Sequence, residues 1–251
     1  MQGDGAERAS QLVATIVPQG QHLWHLLQIS DQFFPTGGYA FSHALETYVS
    51  EGIVHDRMSC HRLLENLCWH TIGPCDLVFC TQAYRLAAGV DTAHDTLAAL
   101  VTCDHLLAAY KVPRELRQES QHTGQAFLRA AMALEPAPLV PALWAQVQRG
   151  ATPGHHALVF GCVAQGLGCN MESTLLAYLH TVLTGLVAAA LRLVPLGQSD
   201  GQRLLHELAP LGLDLIAQYG ELQPEDAWSA TPGMEIRSMQ HERLYSRLYR
   251  S

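Results

Sequence analysis

FSHALETYVSEG, residues Phe41–Gly52, places Phe41, Ala44, Leu45, Tyr48 and Val49 at offsets 0, 3, 4, 7 and 8 and follows them with glycine. That spacing is one face of an α-helix, and the glycine stands where a C-cap stops it. The same period continues in both directions. Upstream, a short helix is predicted over His22–Ile29, followed by the turn SDQFFPTGGYAFS. Downstream, helices are predicted from about Met58 to Thr71, ending at Gly73-Pro74, and from Cys75 to near Gly89. A third carries Leu97, Leu100 and Val101, capped by Asp91 or Thr92. Pro113 opens a long helix to about Leu134, and Pro136, Pro138 and Pro141 interrupt the pattern before a short helix at Leu143–Val147. Further helices fall at Gly154–Gly168, Glu172–Val194, Asp200–Ala209 and Leu211–Gln218. No run alternates at period 2 for long enough to demand a strand. The chain therefore reads as all-α, a single-domain bundle of roughly ten helices.

Gly124, Gly161, Gly166 and Gly185 lie inside these helices, where each costs about 1 kcal/mol against alanine. Close helix–helix approach is the expected compensation.

The 251 residues suffice to bury a substantial core. With 48% hydrophobic and 15% charged residues, disorder is excluded and apolar surface is left over for a partner. A net charge of −8 speaks against nucleic acid as the ligand. The charge is uneven: residues 231–251 hold four arginines and two glutamates, so this basic end carries +2 and the remainder −10. The organisation expected is a loose N-terminal extension over 1–20, an all-α body over 21–230 and a C-terminal tail over 231–251. Seven cysteines contain no CxxC pair, and the polar, acidic opening Met1–Gln11 is no signal peptide. Both point to a reduced cytoplasmic protein with buried free thiols. Leu175–Leu193 is apolar enough to suggest a membrane span, but His180, Arg192 and its small residues fit a core helix better, so no membrane contact is expected.

Catalytic signatures are missing: there is no GxxxxGK[ST], HExxH, GxSxG or CxxC. No catalytic residue and no cofactor is assigned. Among fourteen histidines, the candidate metal groupings are His155-His156 with Cys162, Cys60-His61, and His22 with His25. Adjacent side chains point to different sides of a helix, whereas His22 and His25 are spaced to share an ion; none of the three groupings closes a ligand set. A helical protein binding a metal or cofactor through its histidines is the alternative class, and a helical enzyme with a Cys nucleophile is a third.

Four segments carry a resemblance: LWHLLQISDQFFPTGGYAFSHALETYVSEGIV (Leu23–Val54), VPRELRQESQHTGQAFLR (Val112–Arg129), LRLVPLGQSDGQRLLHEL (Leu191–Leu208) and the C-terminal PGMEIRSMQHERLYSRLYRS. In this order they resemble the urease accessory protein UreF family. The resemblance implies an all-helical, commonly dimeric protein without chemistry of its own. It implies partners too: UreD (UreH in some systems), the GTPase UreG and the urease apoprotein that the assembly supplies with nickel. A role in modulating GTP hydrolysis has been proposed for the family.

Three regions are candidates for partner contact. Phe33, Phe34, Pro35, Thr36, Gly37 and Gly38 form the turn between the first two helices, and the aromatics either anchor a partner or face the core. Glu46 lies off the apolar stripe, facing a partner or solvent. Arg114 and Arg117 crowd one helix with Glu115 and Glu119, to form an internal ion-pair network or to reach a partner. In the tail, Arg243, Tyr245, Arg247, Leu248, Tyr249 and Arg250 are the residue types favoured at interface hot spots. Such a segment either docks back on the body or awaits a partner, and the second is expected.

Overall fold

Pro74 sets the first departure from the expected helix boundaries. The computed structural model describes residues 20–89 and 92–241, with the backbone alone at Tyr39. Helix α1 covers 20–30, α2 Leu45–Ser50 and α3 Arg57–Leu67. Instead of ending at Gly73-Pro74, α3 runs through a π-helical segment, Cys68–Leu77, directly into α4, Val78–Ala88. A proline leaves the carbonyl four residues earlier without its helical donor. Here that carbonyl, on His70, accepts from the Ala230 N–H at 2.8 Å, and the carbonyl of Pro74 accepts from the Trp228 N–H at 3.1 Å. The widened turn is satisfied by tertiary hydrogen bonds, so the chain need not break.

The remaining helices are α5 (Ala93–Tyr110), α6 (Arg114–Ala131), α7 (Leu139–Gln148), α8 (His156–Gly166), α9 (Met171–Leu193), α10 (Gln198–Tyr219) and α11 (Pro232–His241). Short 3-10 turns occur at Gly38–Ala40, Met132–Leu134 and Pro224–Asp226. No strand occurs among the described residues, and the all-α expectation is met. Thr92 is the cap of α5, its Oγ1 accepting from the Asp95 N–H. The two helices expected on either side of Pro210 are one helix, α10, which carries Pro210 in its interior. The predicted helix from Phe41 is shorter than expected. His43 and Ala44 adopt left-handed backbone (φ 49° and 64°), so α2 starts only at Leu45, while Gly52 at φ 70° ends the turn as anticipated.

The core is organised around α8, which is buried from His156 to Ala164 and packs against α4 and α6. Small residues make those approaches possible. A Cβ on Gly161 would lie 2.2 Å from the Cys80 carbonyl oxygen, and one on Gly124 2.1 Å from that of Gly154. Gly166 is likewise crowded, by Val140; Gly185 is not, with nothing within 4 Å of its Cβ position, and the close-approach expectation fails there.

The entry to α8 is held by Asp104 of α5, a fully buried carboxylate. It accepts from the Thr152 hydroxyl at 2.6 Å and from the Gly154 and His155 N–H groups at 2.5 and 3.0 Å. Burial nevertheless raises its pKa, outweighing those hydrogen bonds. Among the described residues, α9 is long and apolar enough to cross a membrane, and half of its most apolar window is buried inside the fold. It packs against α10 through Leu179, Gly212 and their neighbours.

Candidate partner-binding surface

The turn after α1 divides its two aromatic residues between core and solvent. Asp31 organises it: its side chain accepts from the Phe33 N–H at 2.6 Å and its carbonyl from the Phe34 N–H at 2.9 Å. Thr36 Oγ1 then accepts from Gly38 N–H at 3.3 Å, and Gly37 supplies the left-handed residue (φ 70°). The result turns Phe34 inward, 5.1 Å from the Phe127 ring, and leaves Phe33 96% exposed. Both readings of the aromatics are thus realised, one in each residue.

Phe33 is not the only exposed apolar residue, and the pattern reading overlooked the others. Leu23, Trp24 and Leu27 of α1 are all exposed, Trp24 by 70%, while Leu26 and Ile29 face the core. The signal was available: α1 is apolar on two faces, more than a helix needs to pack on one side.

The third element is α11, which packs on α2 and α6 and buries Met234, Ser238 and His241. Arg237 lies 4.5 Å above the Tyr48 ring and 2.7 Å from the Glu51 carboxylate, and its carbonyl accepts from Thr47 Oγ1 at 3.3 Å. At the last turn, His241 Nδ1 stands 3.0 Å from Glu115 Oε2 and Nε2 3.0 Å from Glu46 Oε2. The first half of the tail expected to await a partner therefore docks on the body. Arg243, Tyr245, Arg247, Leu248, Tyr249 and Arg250 lie outside the described residues.

These contacts revise the picture of the charged candidates. Glu46 is buried against His241 and faces neither solvent nor a free surface. Ion pairing on α6 runs through its glutamates: Glu115 to His241, and Glu119 Oε1 to His43 Nε2 at 2.8 Å. Arg117 instead donates to the carbonyls of Lys111 and Val112 at the C-terminal end of α5, where a cation meets the negative end of the helix dipole. Arg114 is exposed.

A cavity of about 160 Å³ opens beside this surface, between the turn after α1, α6, α9 and the start of α11. Ser30, Lys111, Thr123, His156, Thr181 and Thr231 are among its walls. Lys111 sits 2.6 Å from Asp76 of the π-helical segment. Burial alone would lower the lysine pKa, but the adjacent carboxylate raises it above its ordinary value. His156 is wedged among Phe127, Phe160 and Tyr178, and burial pushes its pKa down to about 3. His155 is pushed to about 3 by the same cause. Both rings are therefore neutral at physiological pH.

Of the histidines flagged in the sequence, His155 and His156 are buried, each with one ring nitrogen lacking a hydrogen-bond partner. His25 Nδ1 lies 3.2 Å from the Leu167 carbonyl, and no set of three His, Cys, Asp or Glu residues is placed to hold a metal among the described residues. All seven thiols are free. Burial raises them, to about 11 at Cys60, Cys103 and Cys169 and to about 12 at Cys68, Cys75 and Cys162, with Cys80 pushed up further still. A nucleophilic cysteine needs the opposite shift.

The family model for UreF matches residues 54–209. A urease accessory protein UreF from Bacillus sp. (strain TB-90) is 33% identical over 229 residues, covering 91% of this chain and 99% of the relative. The chain belongs to the UreF family. The UreF of Arthrobacter sp. (strain FB24) is 34% identical with 92% of this chain and 98% of the relative aligned, and that of Actinobacillus pleuropneumoniae serotype 3 (strain JL03) is 34% identical with 90% and 97% aligned. Relatedness thus extends beyond the stretch matched by the family model and spans most of the UreF chain.

Proposed function

We propose that this UreF-family chain is a non-catalytic, cytoplasmic assembly chaperone for urease, acting as a homodimer that joins UreD (or UreH) to the GTPase UreG while nickel is inserted into the apoprotein. The observation that carries this reading is similarity to urease accessory proteins over nine-tenths of the chain and nearly the whole of each relative. The exposed apolar surface supports it, because a monomer gains nothing by leaving Trp24, Leu27 and Phe33 in water. We assign partner contact to Phe33 and the turn that presents it through Gly38, to Arg114, and to Arg243, Tyr245, Arg247, Leu248, Tyr249 and Arg250; Phe34 and Arg117 support this surface from within, through the Phe127 ring and the end of α5. Glu46 contributes from inside, by holding α11.

The test is urease activity in nickel-supplied cells carrying the urease operon from the same organism. Deleting this gene is expected to leave urease protein at normal abundance but inactive and nickel-poor, with activity restored by the intact chain. Full activity without it removes the proposal.

A further inference from the structure

We propose that His241 latches α11 as a protonated bridge between two buried carboxylates, and that losing this proton releases the last turn of α11. The geometry itself sets the proton count. A neutral imidazole offers one N–H and one lone pair, whereas an ionised carboxylate only accepts. Both ring nitrogens of His241 face carboxylate oxygens at 3.0 Å, Glu115 on one side and Glu46 on the other. Both contacts are hydrogen bonds only if the three groups together hold one proton more than a neutral ring between two carboxylates. Without it a nitrogen lone pair faces a carboxylate oxygen where the histidine side chain is 2% and the glutamates 9% exposed. Water cannot screen that repulsion.

The surroundings favour the charged bridge. From α2, Glu46 and Glu51 face α11, with Glu51 held by Arg237 and the Tyr48 ring beneath that arginine. From α6 come Glu115 and Glu119, with Glu119 taken by His43. The other α6 groups are engaged or directed elsewhere: Arg117 binds carbonyls of α5, Arg114 is exposed, and His122 lies against Phe41. A cavity of about 10 Å³, at most about one water molecule, borders the cluster between His43, Glu115, Glu119, Ser238 and His241. The first turns of α11 keep their own anchors, Met234 in the core and Arg237 on Glu51, so release is confined to the end of the helix.

The full chain, labelled with 15N, is titrated while the His241 ring nitrogens and the hydrogen-exchange protection of residues 238–241, corrected for intrinsic rates, are followed together. The expected result is a doubly protonated ring in the latched state and a fall in protection of about tenfold or more as that ring proton leaves, with the amides of α9 unchanged. In Glu115→Gln the side-chain amide can donate to the ring lone pair, so a neutral His241 bridges as well. Protection should then persist through the same interval; Glu46→Gln makes the same test from the other side if the first variant folds poorly. A singly protonated ring under a fully protected α11, or unaltered pH dependence in the glutamine variants, overturns the latch. Its consequence for partner capture rests on the function proposed above. Should His241→Gln bind UreD as the parent does while the ring and exchange results hold, the latch stands and the assignment of the tail is what fails.

Discussion

Gly124→Ala adds one methyl group where two backbones touch. Its Cβ would lie 2.1 Å from the Gly154 oxygen, 2.6 Å from the His156 nitrogen and 2.7 Å from the His155 carbonyl carbon. None of these belongs to a side chain that can swing away. To reach ordinary contact, α6 and the start of α8 must part by more than about 1 Å. That movement strains the Phe127–Phe160 ring stack, now at 5.2 Å, and the hydrogen bonds from Gly154 and His155 to Asp104. Overpacking of this kind costs about 1–3 kcal/mol and more against backbone, while the gain in helix propensity is about 1 kcal/mol. Taking the upper end, because the contact is with backbone, the net loss is about 2 kcal/mol, a fall in Tm of about 4–8 °C for a domain of this size. Gly185→Ala is the control, since nothing lies within 4 Å of its Cβ position and only the propensity gain of about 1 kcal/mol remains. Far-UV circular dichroism melts of the two variants should move in opposite directions. A Gly124→Ala protein melting at or above the parent, or Gly185→Ala losing as much, refutes the packing account.

Acid should destabilise the fold through His155 and His156, both held neutral with pKa values near 3. An unfolded histidine titrates near about 6.5, so their contribution is complete above that pH and is lost as pH falls toward 3, with a slope approaching two protons, about 2.7 kcal/mol per pH unit. Urea titrations from pH 7 to 5 check this, and His156→Phe should remove about half the slope. Lys111→Met strands the buried Asp76 carboxylate and should cost about 3–5 kcal/mol in the same titration, partly recovered by adding Asp76→Asn. Deleting Leu244–Ser251 is expected to leave helicity and Tm close to the parent while abolishing capture by UreD; full-strength capture would return the tail to the fold.

The apolar period was enough for the long helices, because α5, α6 and α9 each bury one continuous face and stop at recognisable caps or prolines. It failed where tertiary hydrogen bonds replaced local ones. Nothing local to Gly73-Pro74 announces that the His70 carbonyl will find the Ala230 N–H, some 160 residues away, and so a helix break was expected where a π-helical segment continues. The same limit hid Glu46. One turn of α2 lies off the stripe that packs on the body, and only the arrival of α11 from the far end of the chain covers it. The exposed residues of α1 were legible in principle, as a second apolar face on the helix.

Whether the chain joins two proteins that do not otherwise meet is settled most directly by size-exclusion chromatography with light scattering on purified UreD and UreG from the same organism, run with and without it. The account predicts a single complex containing all three when the chain is present, and UreD and UreG eluting apart when it is omitted. Co-elution of UreD and UreG to the same extent without the chain, or failure of either to enter a complex with it, contradicts the bridging role.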